Sequence, residues 1–169
     1  MKRCCIIFLS IVIIILTAFA GVPKTEQEYL RIHIRANSNG KADQTVKYDV
    51  RDAIVLYLTP LVGDLESKEE ALAIVSEELP AIEGIAEDVL QREGFFYGAK
   101  ASLRKEEFPT RVYEDVTLEA GVYDALILEL GSGEGDNWWC VVYPALCFSG
   151  APKGYKSFLW EILQKYIGG

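Results

Sequence analysis

The chain has 169 residues, half of them apolar, with 25 Asp and Glu against 17 Lys and Arg and a single His; that is material for one packed domain and excludes a second. The formal charge of −8 falls to −10 once Lys2 and Arg3 leave with a leader that holds no acidic residue. A balance of that sign excludes a general phosphate-backbone binder, and with it nucleic acid as a partner.

Residues 1–20 place Lys2 and Arg3 ahead of a 14-residue apolar run, 6–19, interrupted only by Ser10 and Thr17 and closing on Ala18-Phe19-Ala20. A positive start, a short apolar stretch and a small-x-small end are the layout of a secretory signal peptide, and the run falls short of the about 20 residues a helix needs to cross a bilayer. Cleavage between Ala20 and Gly21 is expected, with export of a single domain, residues 21–169. An uncleaved N-terminal anchor is the alternative, because Val22 prolongs the apolar stretch before Pro23 ends it.

Residues 29–36 alternate, with Leu30, Ile32, Ile34 and Ala36 to one side and Arg31, His33 and Arg35 to the other, which predicts a half-buried strand. Asn37-Ser38-Asn39-Gly40 is turn chemistry. From Asp43, the residues Val46, Val50, Ala53, Ile54, Tyr57, Leu58 and Leu61 recur at helical spacing. Ser67-Lys68-Glu69-Glu70 has the form of a capping box and opens a second helix, whose seam runs through Leu72, Val75, Leu79, Ile82, Ala86 and Val89. The two helices should lie antiparallel, with a kink or break near Leu79 where Pro80 removes a donor; the acidic side of the second reads as a solvated face. Strands are predicted at residues 97–104, 108–113, 122–130 and 138–143, and their short connections favour antiparallel pairing. Ser157 caps a last amphipathic segment striped by Leu159, Ile162, Leu163 and Tyr166. The order predicts an α+β domain: a mainly antiparallel sheet packed against an antiparallel helix hairpin plus a C-terminal helix.

Cys140 and Cys147 are the thiols that remain after leader removal. In an oxidising compartment they form a candidate disulfide, closing an eight-residue loop worth about 2.5 kcal/mol; two buried reduced thiols are the other reading. Their spacing excludes a C-x-x-C redox site, and a zinc site lacks its other ligands. The run Gly131-Ser132-Gly133-Glu134-Gly135-Asp136-Asn137 has neither the Lys-Ser/Thr end of a P-loop nor the acidic series of an EF-hand, so it reads as a tight hairpin connection. Arg31, His33 and Arg35 form a basic row on an acidic protein, which either receives an acidic partner or pairs with acids of its own domain. His33 is the sole imidazole and two cations oppose its becoming charged, which argues against a Ser-His-Asp triad. No carboxylate pair is placed in a cleft as a glycosidase requires. Trp138 and Trp139 face opposite sides of their strand, one toward the core and the other open to a partner or a sugar ring. No catalytic residue, metal, cofactor or small-molecule substrate is expected.

With these residues in place, the chain resembles the stage II sporulation protein R family of endospore-forming bacteria. The resemblance is carried by Arg31-Ile32-His33-Ile34-Arg35-Ala36-Asn37-Ser38, by Asp43-Gln44 with Val50-Arg51-Asp52-Ala53, and by Glu107-Phe108-Pro109-Thr110-Arg111-Val112-Tyr113. Most specific is the block from Gly121 through Asn137-Trp138-Trp139-Cys140 to Pro144-Ala145-Leu146-Cys147. The chain departs at Asn39-Gly40, where the family usually has Asp-Ser, and at Ala145, where a second Pro is common. The first departure weakens any argument for an acidic group at position 39, and the second bears on the rigidity of the loop between the cysteines.

The resemblance implies an exported signalling protein and not an enzyme. It would be made in the forespore, sent into the space between forespore and mother cell, and required there for a membrane-embedded aspartic protease to process the sigma-E precursor. Candidate contacts with the extracytoplasmic side of that protease are Arg31, His33, Arg35 and Asn37, with Glu134, Asp136, Trp138 and Trp139 of the hairpin. The competing expectation is an exported cell-wall-associated binding module or hydrolase using Trp139 and the carboxylates.

Overall fold

The alternating segment around His33 is a strand, β1 (Leu30–Arg35), in the computed structural model, which describes residues 28–113, 116–146 and 157–167. The expected leader, with its junction between Ala20 and Gly21, lies outside the described residues, as does Cys147. Two long helices follow β1, α1 (Lys41–Val62) and α2 (Lys68–Arg92). The chain continues through β2 (Ala99–Phe108), β3 (Arg111–Tyr113), β4 (Val116–Leu118), β5 (Gly121–Leu130) and β6 (Asn137–Tyr143) to α3 (Ser157–Ile167). This is the expected α+β arrangement of sheet, helix hairpin and C-terminal helix.

The main sheet has the order β2-β5-β1-β6, and β3 pairs with β4 in a separate ribbon. β1 is antiparallel to β6, and β2 is antiparallel to β5, but β1 and β5 are parallel. The parallel pair breaks the run of antiparallel neighbours because the helix hairpin, β2 and the ribbon all lie between its two strands, a crossover long enough to bring the chain back to its starting end. On the helix side, Leu30, Ile32 and Ile34 meet Leu126, Leu128, Cys140 and Val142 in one cluster with Val50, Ile54, Leu58, Ile82 and Val89. Each fully buried Leu, Ile or Val there contributes roughly 1.5–3 kcal/mol.

Three local details differ from the sequence expectation. β2 runs on to Phe108, and Pro109 with Thr110 separates it from β3, because proline has no N–H for a ladder. β4 was not anticipated, since three residues are too few to show a period. α2 runs unbroken through Pro80; the proline is exposed, so the missing donor faces water while Ile82, Ile85 and Ala86 hold the next turn in the core.

The N-cap half of the capping box forms, with Ser67 accepting from the Glu70 N–H at 3.2 Å. The Glu70 carboxylate accepts from the Glu66 N–H at 3.1 Å, one residue ahead of the cap. α3 seats Ile162 and Leu163 in the core, and the pairs Arg92–Glu161 and Lys165–Asp88, both at 2.8 Å, tie it to α2. Among the described residues no helix is long and apolar enough to cross a membrane. Removing the cap with Ser67→Ala should lower the unfolding free energy by about 1 kcal/mol, read as a lower urea midpoint at unchanged m-value; an unmoved midpoint contradicts the capping role.

Candidate functional site

The odd-numbered side chains of β1 point away from the helices, toward a smaller cluster of Phe108, Tyr123, Ala125 and Ile127 with Trp139 at its edge. Here Arg31 is 0% exposed and His33 1%. The Arg31 guanidinium carbon lies 4.1 Å from the Phe108 ring centre and 4.7 Å from that of Tyr123, and Nη2 donates to the Tyr113 hydroxyl at 2.9 Å. Its Nε and Nη1 have no hydrogen-bond partner among the described residues. A desolvated cation over an aromatic face is worth about 2 kcal/mol or more, which offsets part of the several kcal/mol lost when an ion leaves water.

His33 stacks on Trp139, with centroids 4.0 Å apart and planes at 29°, and meets Phe108 edge-on. Its Nε2 accepts from Arg35 Nε at 3.3 Å, which assigns the ring proton to Nδ1. Burial lowers its pKa below the ordinary 6.5; the Asn137 side chain acts in the opposite direction, and the charge of Arg35 lowers it further. The imidazole is therefore neutral at pH 7. Arg35 reaches Glu106 at 2.5 Å and Glu129 at 2.9 Å, and Arg104 holds the same two carboxylates at 3.0 and 3.3 Å. Pairing within the domain thus accounts for Arg35, whereas Arg31 is paired with rings and a tyrosine hydroxyl. Arg31 and His33 offer a partner no exposed surface.

Beyond Arg35 the chain enters a loop bound tightly to the β5–β6 connection. Asn37 Nδ2 and Ser38 Oγ donate to one Asp43 oxygen at 2.9 and 2.5 Å, and Tyr97 Oη donates to the other at 2.8 Å. Asn37 Oδ1 accepts from the Ser132 N–H at 3.0 Å, and Asn39 Oδ1 accepts from the Asp136 N–H at 2.6 Å. The Gly135 N–H donates to the Ala36 carbonyl at 2.8 Å, and Lys47 Nζ to the Asp136 carbonyl at 2.9 Å. Burial raises the Asp43 pKa, but the hydrogen bonds from Ser38, Asn37 and Tyr97 together leave it below the ordinary 3.8. The glycines of the connection serve close backbone approach: Gly131 sits at φ +58 with Asn37 where its Cβ would be, and a Cβ on Gly135 would run into the Ser38 carbonyl.

Glu134 and Asp136 are exposed on this connection, and Asn37 is half-buried within it. Trp138 packs against the main core and Trp139 against the smaller cluster; both are half-buried, so neither is the fully open ring expected of one of them. Cys140 is buried in β6. Asp43, Lys47, Tyr97 and Tyr113 were not singled out as site residues. Each reads locally as an ordinary helix or strand position, and Tyr97 and Tyr113 meet their partners 54 and 82 positions away. Among the described residues no group of three His, Cys, Asp or Glu could hold a metal ion.

Residues 26–153 match the family described as Stage II sporulation protein R (spore_II_R). The chain is also similar to the Stage II sporulation protein R of Bacillus subtilis (strain 168), 35% identical over an alignment 161 residues long that covers 88% of this chain and 72% of that protein. No solved structure matches.

Two outcomes follow from this geometry. Gly135→Ala should destabilise the fold by about 2 kcal/mol or more, since the obstacle is backbone, whereas Ser132→Ala should cost less; equal midpoints for the two in urea would refute the close-approach role. His33 carries a lowered pKa, so the stability it confers is complete above about pH 6.5 and is lost as pH falls toward the folded value. His33→Gln should lack that component, narrowing its stability gap to the parent chain between pH 7.5 and 5; parallel pH profiles would refute it.

Proposed function

The chain belongs to the stage II sporulation protein R family, and from that membership we propose that it is an exported signal that triggers a membrane-embedded aspartic protease to process the sigma-E precursor. In this reading it carries no catalysis of its own. It crosses the forespore membrane on its leader and meets the extracytoplasmic side of the protease in the intermembrane space. A bridge from Cys140, which is buried in β6, to Cys147 would suit that compartment.

The observation that carries the reading is the loop face, residues 37–40 and 131–136, hydrogen-bonded into one surface that presents Ser132, Glu134 and Asp136 to solvent. A surface fixed by hydrogen bonds between its loops loses little freedom on association, which favours recognition of another protein. It would activate by binding the active arrangement of the protease more tightly than the inactive one, since equal affinity shifts nothing. Arg31, His33 and Arg35 then act as positioning residues beneath the face. Trp139 supports the wall-binding alternative less well, because His33 covers one face of its ring and Arg111 lies 5.7 Å from the ring centre.

The test is co-expression of the full chain, its cognate protease and the sigma-E precursor in a non-sporulating host. Precursor cleavage that requires the exported chain is the expected result. Absence of cleavage, with the chain shown to be folded and exported, would overturn the proposal.

A further inference from the structure

The loop between α2 and β2 adjoins the same face. The Gly131 N–H donates to the Gly98 carbonyl at 2.9 Å, joining this loop to the β5–β6 connection. Phe96 at its centre is 100% exposed, yet the backbone around it is held on both sides. The Phe95 N–H donates to the Leu90 carbonyl at 2.8 Å, the Phe95 and Tyr97 rings lie 5.4 Å apart, and the Tyr97 hydroxyl is bonded to Asp43. A phenylalanine on a loose loop would mean little. Here the ring is presented from a fixed frame, so docking it would order little backbone.

Phe95 lines two grooves. One, of about 500 Å³, runs toward the start of α1 over Ala42 and Val46; the other, of about 470 Å³, is shared with Phe96 and Tyr97. Asp49 and Glu93 edge the first, beside Lys41, and Glu87 edges the second, on a domain whose net charge is strongly negative. The apolar floor of the first groove, with carboxylates at its rim, complements an apolar partner that carries cations, and the acidic rims of both grooves repel an anionic membrane surface.

We propose that Phe96 is the anchor of the docking face, entering an apolar socket flanked by Lys or Arg on the partner protein. This rests on the signalling role proposed above, with the protease as the protein that supplies the socket. Buried aromatic anchors carry much of the affinity of such interfaces, and rim charges add a salt-sensitive component.

Three forms of the full chain, the parent, Phe96→Ala and Phe96→Trp, would be compared for binding to protease-containing membranes and for precursor cleavage in co-expression. Phe96→Ala should weaken binding at least tenfold and reduce cleavage in step, Phe96→Trp should retain both, and raising NaCl from about 50 to 300 mM should weaken the parent. All three should melt at the same temperature, because the ring is fully exposed. If the parent triggers cleavage and Phe96→Ala does so equally, the anchor is refuted while the signalling role stands. If the parent neither binds nor triggers, both fall. Sedimentation, together with flotation on phosphatidylcholine and phosphatidylglycerol vesicles, covers the other occupants: Phe96-dependent dimers or vesicle binding would reassign the face to a second copy or to lipid and overturn the proposal.

Discussion

Three basic side chains on the most enclosed strand of a sheet must receive from the protein what water would have given them. β1 is flanked by β5 and β6 and covered on one face by both long helices, so Arg31, His33 and Arg35 all turn to the other face. Much of the remaining architecture answers that constraint. β2 and β5 deliver Glu106 and Glu129 to Arg35, together with Phe108 and Tyr123 to Arg31. The small β3–β4 ribbon brings Tyr113 to the Arg31 guanidinium, and β6 brings Trp139 to His33. The charge of Arg31 is met by rings and one hydroxyl, and among the described residues no carboxylate pairs with it.

The parallel pairing of β1 with β5 has a second result. Parallel neighbours end at the same edge of a sheet, so Arg35 lies opposite Glu129 and the chain leaves both strands side by side. That is why residues 37–40 and 131–136 meet and exchange hydrogen bonds. β2 begins at this edge as well, with Ala99 opposite Leu130, and so adds the Phe96 loop. An antiparallel β1–β5 pair would have sent the two connections to opposite ends of the domain. The loop face is a product of topology, and the buried strand beneath makes it stiff.

Stiffness has a direct bearing on recognition. Surfaces that are ordered before they bind lose little conformational freedom on association, and a few anchors then suffice. The ionised Asp43, held by Asn37, Ser38 and Tyr97, fixes the loop from the α1 side, and Lys47 fixes the hairpin from the same helix. The glycines contribute by letting two backbones approach, a role that a phosphate-binding loop of similar composition does not share.

Local patterns by themselves determined much of this protein. The alternation of residues 29–36 marked β1 and assigned its basic row to one face; helical spacing and the Ser67 box marked α1 and α2; the glycines of residues 131–135 marked a tight connection. These are readable because side-chain direction repeats every two residues in a strand and about every 3.6 in a helix. Tertiary structure alone decided what surrounds those elements. The neutralisation of Arg35 by residues 71 and 94 positions away, the aromatic cover of Arg31, the three-residue β4 and the meeting of three loops at one edge leave no local period. They arise from which strands become neighbours, and that choice depends on burying the whole core at once, a quantity no short stretch of sequence contains.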